Sequence, residues 1–527
     1  MPAFVTDQFR ILNTNNFVNS IDTGTDNYYV FVGLTNPSSP GFGRNVNWDR
    51  PDIVDANLAT LPNPTDNYDY IPHYGDTMIF GKKITSQSIK RCVRKIEWSQ
   101  GIKYDMYRHD YSVTNPSAIT NRSRLYDSNY YVINSQYQVY VCISNGSSGI
   151  NTLGNQSQDE PLFTDLEPSK AGTSGDEYIW KYLFTVSPTD IIKFDSTEYI
   201  PLPNNWDSSS LSQIKSVREN GNSDINNNQI KFVYIDSPGG SYSSGEVNIL
   251  GDGSGARVFV EANEDGQIVK TTVTSGGSGY TYGIVDLGPL QTSDTIPFPA
   301  KLIPIIPPSK GHGYDIYREL GADKVLIYTR FDDSSKDFPI DTKFAEIGIL
   351  KNPKKYSSEE YFTSDRFSAL SSLKVNISGS ILPTIGEKIE QTLSNGQKAF
   401  GYVSSYDKDT QVLKYFKDRS LYYNSSTYDQ TDYVGISSLG KSTNVFSSSG
   451  GPIVGKTSGF TCSINSSFNS STVTVQNKVI NLDVVFTGGM ANPEINKTSG
   501  DIIYIDNRPL VQRNSRQKED IKIILEF

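Results

Sequence analysis

The side chains able to do chemistry are few and scattered. Cys92, Cys142 and Cys462 are odd in number and far apart, so they build neither a disulfide framework nor a C-x-x-C zinc site. Each is expected to be a buried, reduced thiol, with Cys142 in the strand-like run Val139-Tyr140-Val141-Cys142-Ile143. His73, His109 and His312 are equally dispersed, so no histidine metal site or triad takes shape. His312, between Gly311 and Gly313, is expected to be a turn histidine ahead of Tyr314, with presentation of a ligand as the sharper alternative. Asp332-Asp333 and Glu359-Glu360 pair carboxylates as glycoside hydrolysis requires, but adjacent acids in polar loops read as solvated faces. Gly251-Asp252-Gly253-Ser254-Gly255-Ala256 fits the spacing of a dinucleotide loop. Such a loop needs a helix next, whose N–H groups hold the pyrophosphate, and Arg257-Val258-Phe259-Val260 is strand-forming. Gly276-Gly277-Ser278-Gly279 starts like a calcium-binding nonapeptide, with Thr281 where an aspartate ligand is needed. Asp224-Ile225-Asn226-Asn227-Asn228 starts like an EF-hand, with Gln229 in the glycine position. Sequons such as Asn121-Arg122-Ser123 and Asn465-Ser466-Ser467 follow from an Asn- and Ser-rich composition. No catalytic, cofactor-binding or metal-ligating residue is therefore expected, and no cofactor.

The elements that would have to position any site are β. The 527 residues include 33 Tyr and 24 Phe but only 4 Trp and 4 Met, and tyrosine suits a half-buried strand. The aromatic and β-branched content argues against disorder. The charge, 48 − 58 = −10, lacks the basic footprint of nucleic-acid binders. No run reaches the ~18 apolar residues of a membrane span, and the N-terminus does not read as a secretory signal.

Along the chain, Tyr28-Tyr29-Val30-Phe31-Val32 reads as a strand followed by the turn-rich 36–41. A short helix is expected over 85–91, with a hydroxyl cap. The clearest strand runs from Tyr178 to Val186, with Tyr178, Trp180, Tyr182, Phe184 and Val186 as an aromatic stripe. It reads as core, a sugar-binding platform being the alternative. Residues 239–249 resemble 276–287, Tyr242 matching Tyr280 and Val247 matching Val285, and enclose a strand–turn–strand over 256–273. A helical turn or two is expected over 314–320 and a strand at 325–328. Lys388 to Leu393, then Asn395-Gly396, then Ala399 to Val403 carry a hairpin signal. Val473-Thr474-Val475 is strand-like, and the C-terminal 521–527 places Ile521, Ile523, Leu525 and Phe527 on one face of a packed strand.

Several runs carry more than a period. Gly175-Asp176-Glu177-Tyr178-Ile179-Trp180-Lys181-Tyr182-Leu183-Phe184 with Glu198-Tyr199-Ile200, and Ile503-Tyr504-Ile505-Asp506-Asn507-Arg508-Pro509, resemble a baseplate wedge subunit of T-even-like contractile-tailed bacteriophages. Weaker matches are Phe9-Arg10 with 17–21, Arg94-Lys95-Ile96-Glu97-Trp98, Val139-Tyr140-Val141-Cys142, and Phe344-Ala345-Glu346-Ile347-Gly348-Ile349 with Asn352-Pro353. The likeness covers about half of the chain, which is longer than the T-even pattern and corresponds to an enlarged, cyanophage-type version. It implies a non-enzymatic virion component that forms a homodimer and docks neighbouring baseplate wedge proteins, made in the host cytoplasm and placed in the tail baseplate, with no nucleic-acid or membrane partner. The alternative is a carbohydrate-binding tail adhesin. The expected fold is mainly β, a multi-module β-sandwich-type core with small inserted β domains and few short helices. Residues 1–215 are the first part of that core and 216–300 a Gly-rich inserted repeat module. Residues 301–353 return to the core, 354–499 form a second insertion, and 500–527 supply the closing strands.

Overall fold

A computed structural model describes residues 5–33, 75, 78–221, 223, 226–293, 298–332, 343–384, 387–416, 444–482, 484–512 and 518–527. It is 41% strand and 11% helix, a mainly β protein with several sheets, a six-stranded barrel and short helices. The chain divides into two compact units, 1–19 with 89–328 and 522–527, and 20–88 with 329–521.

The first unit is built around an antiparallel sheet ordered Tyr131–Ile133, Gln138–Asn145, Tyr178–Thr185, Ser169–Lys170. The aromatic stripe of Tyr178–Thr185 is core: Tyr178, Trp180, Tyr182 and Phe184 are all buried. Tyr178 stacks on Trp180 with ring centres 5.4 Å apart, and Tyr104 meets both rings edge-on. Quadrupoles favour these offset and T-shaped contacts over a face-to-face sandwich. Ile89–Arg94 lies between Lys324–Asp332 and Tyr199–Pro201 in a second sheet, flanked by Lys518–Glu526. In that last strand Ile521 and Ile523 are buried while Lys522 and Ile524 are exposed, as the alternation of 521–527 predicts.

The glycine repeats form a four-stranded sheet ordered Ile268–Ser278, Ser254–Ala262, Gly245–Gly251, Gly283–Val285, over a hydrophobic cluster of its own. The two repeats are antiparallel neighbours, Ile249 opposite Val285 and Gly251 opposite Gly283. Tyr280 closes the sheet from inside; its hydroxyl accepts the Ala256 N–H and donates to the Ile249 carbonyl, both at 3.1 Å. A Cβ on Gly253 would stand 2.5 Å from the Tyr280 ring, which is why glycine occupies that place.

In the second unit, one antiparallel sheet is ordered Arg366–Ser368, Met78–Lys83, Tyr28–Gly33, Lys343–Lys351, Asp501–Gln512. The barrel runs Ser371–Ser378, Val412–Phe416, Lys398–Asp407, Lys388–Thr392, Ile453–Gly455, Thr461–Ile464 and closes back onto Ser371–Ser378. Leu373, Val375, Ile389, Leu413 and Ile453 fill it. Closure removes the free edges an open sheet would expose. The Asn395-Gly396 turn joins Lys388–Thr392 to Lys398–Asp407, with Gly396 at φ +79. Thr472–Val475 pairs with Lys478–Asn481 in a separate hairpin.

One expectation is corrected. Residues 85–91 are not a helix: the Thr85 N–H donates to the Ser88 hydroxyl in a tight turn, and Ile89–Arg94 is a strand. Pairing with Lys324–Asp332, which buries Ile89 and Cys92, overrides a weak local cap signal. Asp7–Asp22 is a 16-residue helix that the local sequence reading did not pick out. Its buried positions Ile11, Thr14, Val18 and Ile21 recur every three or four residues, but intervening asparagines, indifferent helix formers, obscure the period. The expected turn at 36–41 and His73 lie outside the described residues.

Candidate functional site

A group of ionisable and amide side chains surrounds a small cavity in the first unit; Lys181, Asn226, His312 and Glu319 are buried, while the Glu167 side chain is about half open to solvent. Lys181 interrupts the apolar run of Tyr178–Thr185 and is 3% exposed. Its Nζ donates to Asn220 Oδ1 at 2.9 Å and to the Leu166 carbonyl. Asn220 comes from the helix Ser212–Gly221, whose Ile214 and Val217 are buried and fix its orientation. Glu167 gathers the other ends: Oε1 accepts from Asn220 Nδ2 at 3.0 Å and from Asn226 Nδ2 at 2.8 Å, and Oε2 accepts from Lys231 Nζ at 3.0 Å. Lys231 also donates to Asn226 Oδ1 at 2.6 Å. A lysine donor on one side and a carboxylate acceptor on the other settle which way the Asn220 amide points.

These surroundings move both charges. Burial brings the Lys181 ammonium down to about 8, because the charged form loses its water. Burial opposes the Glu167 charge, but hydrogen bonds from Asn220, Asn226 and Lys231 outweigh it and hold the carboxyl at about 2.

His312 borders the same cavity, with Glu167, Lys181, Asn220, Asn226 and Lys231. It lies in a turn ahead of Tyr314, as expected, and its side chain is buried. Its Nδ1 lies 2.6 Å from Oε1 of the fully buried Glu319, whose Oε2 accepts the Gly313 N–H at 2.7 Å. Tyr107 packs edge-on against the imidazole at 4.8 Å. Glu319 is carried by the one-turn helix Ile316–Leu320, capped by Asp315 as the 314–320 reading anticipates.

The other candidates are not brought together. His109 Nδ1 accepts the Ile306 N–H at 3.2 Å, which engages it in the backbone. The three cysteines are buried and free; burial pushes Cys92 and Cys462 up to about 12 and Cys142 upward as well, which suppresses thiolate chemistry. Glu359 and Glu360 are exposed partners of Lys354 and Lys355. Asp332 ends a strand, and Asp333 lies outside the described residues. The dinucleotide-like loop does lead into a strand, Ser254–Ala262. Thr281, at the failed calcium position, instead donates both N–H and hydroxyl to Asp252. No group of three or more His, Cys, Asp or Glu able to hold a metal occurs among the described residues. No helix among them is long and apolar enough to cross a membrane.

Sequence reasoning passed over Lys181, Glu167, Asn220, Asn226 and Glu319. Only Lys181 leaves a signal, a lone charge inside an otherwise apolar and aromatic strand.

Three pairs of the runs quoted for the resemblance are neighbours in sheets, whereas Phe9-Arg10 and 17–21 lie in the helix Asp7–Asp22. Cys142 faces Trp180 and Val139 faces Phe184; Arg94 faces Tyr199; Ile347, Gly348 and Ile349 face Asp506, Ile505 and Tyr504. In sequence comparison, no family model and no curated protein matches the chain.

Proposed function

We propose that the protein is a non-enzymatic structural subunit of a contractile phage tail, a baseplate wedge component that self-associates and docks neighbouring wedge proteins. The observation that carries this reading is that three pairs of the resembling runs are strand neighbours. Segments as far apart as 344–349 and 503–507 form one antiparallel ladder, so the likeness follows a connected scaffold. A coincidental likeness has no reason to respect strand register.

The physical character of the chain fits the role. A baseplate part must hold rigidly through assembly and then rearrange as the sheath contracts, which calls for stiff modules with broad, partly polar contact surfaces. Closed and multi-sheet β modules with buried tyrosine clusters are stiff in this sense. Burial of the Tyr178, Trp180 and Tyr182 stripe removes the feature that most favoured a sugar-binding adhesin.

Reconstruction of tail particles containing the full chain tests the proposal: density for it in the peripheral wedge, and a dimer in solution, are expected. A concentration-independent monomer absent from tails overturns it. Saturable binding on a glycan array would favour the adhesin instead.

A further inference from the structure

We propose that Lys181 and Asn220 are joined by a self-formed isopeptide bond, with Glu167 relaying the proton. The inference rests on the hydrogen bonds that join the buried Lys181 amine, Asn220 and the half-exposed Glu167, and is independent of the baseplate reading.

The arrangement holds each participant where the reaction needs it. The Lys181 nitrogen is buried and hydrogen-bonded to the Asn220 carbonyl oxygen at 2.9 Å, hence beside the electrophilic Cγ. The leaving nitrogen, Asn220 Nδ2, donates to Glu167 Oε1 at 3.0 Å, so the carboxylate sits where that nitrogen must receive a proton. Desolvation of the ammonium raises the fraction of neutral, nucleophilic amine near neutral pH. Fixing amine and amide in contact replaces a bimolecular encounter with an intramolecular one, the condition under which an unactivated amide can react.

The step balances without a co-reactant. The lone pair of neutral Lys181 Nζ forms a bond to Asn220 Cγ and pushes the carbonyl electrons onto Oδ1. The attacking nitrogen gives up one proton to water, and Glu167, hydrogen-bonded to Nδ2 and half open to solvent, passes one to Nδ2. Collapse of the tetrahedral centre breaks the Cγ–Nδ2 bond, releases ammonia into the adjoining cavity and leaves a secondary amide, with Glu167 again a carboxylate. The bond ties the strand Tyr178–Thr185 to the helix Ser212–Gly221.

Lys231, Asn226 and Glu167 form a second, similar contact. Lys231 is the more exposed amine, with 22% of its side chain open, so Lys181 is the assigned nucleophile.

Intact-mass measurement of the purified full chain, followed by peptide mapping, tests the proposal. The expected mass is one ammonia below the sequence mass, with a branched peptide joining the Lys181 and Asn220 fragments and conversion faster at pH 9 than at pH 7. Lys181→Arg, which keeps the positive charge, should show the full sequence mass, and Glu167→Gln should slow conversion at least tenfold. A wild-type protein that keeps its full mass after prolonged incubation at pH 9 overturns the proposal. So does a missing ammonia mapped to a Lys231–Asn226 link, or to a succinimide at Asn220-Gly221, which joins no second peptide and opens in base. The decisive reading is on the wild-type chain, so a variant that fails to fold leaves the test intact.

Discussion

Lys181 and Glu346 are both charged side chains taken almost wholly out of water, and their surroundings treat them in opposite ways. Lys181 has a carbonyl, an amide and, through that amide, the Glu167 carboxylate arranged around it. Glu346, on the strand Lys343–Lys351, is fully buried and neither carboxyl oxygen finds a hydrogen-bond partner among the described residues. Burial alone pushes its carboxyl well above the ordinary 4.5, favouring the neutral acid. A fold can thus keep a buried charge by partnering it or suppress it by protonation. Partnering costs sequence, since six or seven residues must agree. Suppression needs one strand position and makes stability depend on pH.

The sharpest way to break this contrast is at Glu319, the most completely buried member of the partnered cluster. Glu319→Ala strands both the His312 ring nitrogen and the Gly313 N–H, and a loss of about 3–5 kcal/mol in urea unfolding is expected. A loss below about 1 kcal/mol would mean that the cluster relaxes into water and is not held by its partners.

Glu346→Leu should act in the opposite direction, stabilising the protein at pH 8 by about 1–3 kcal/mol, because an unsatisfied acid gives way to an apolar group. The sign with pH follows from its raised native pKa. Above about 4.5 the unfolded chain releases the proton that the native state keeps, so wild-type stability falls as pH rises toward the native pKa. The leucine variant should lose that component of the slope, and equal slopes in both proteins would show that Glu346 acquires a partner.

Glu167 supplies the converse. Its native pKa, about 2, lies below the ordinary 4.5, so its contribution is complete above 4.5 and disappears as pH falls toward 2. Glu167→Gln should therefore show a smaller drop in urea midpoint between pH 6 and pH 3 than wild type. The smallest effect belongs to the exposed Lys355–Glu360 pair, where Glu360→Gln should leave the urea midpoint unchanged within measurement error and mark the noise floor for the others.

The two regions also differ in how legible they are in sequence. The β class, the Tyr178–Thr185 strand, the Asn395-Gly396 hairpin, the paired glycine repeats and the alternating C-terminal strand all follow from local period and turn chemistry. The cluster does not, because its members come from loops, turns, two helices and one strand, and each is unremarkable beside its own neighbours. Lys181 alone stands out, by being a charge where the strand pattern asks for an apolar residue. Glu346 gives no such warning, since the alternation of Lys343–Lys351 is irregular. The helix Asp7–Asp22 was hidden for a related reason: too few apolar residues mark its stripe.

The partition of the chain bears on how the protein is made. The first unit draws on residues 1–19, 89–328 and 522–527, with the second unit's segments running between them. Within it, the last six residues are held: Glu526 pairs with Arg10, the Phe527 ring packs on Phe17 at 5.4 Å, and the Phe527 N–H donates to the Asp323 carbonyl. Neither unit is a contiguous stretch that can be cut out and expressed whole. Residues 1–19 must wait for 522–527, so the first unit closes only after the whole intervening stretch has been made.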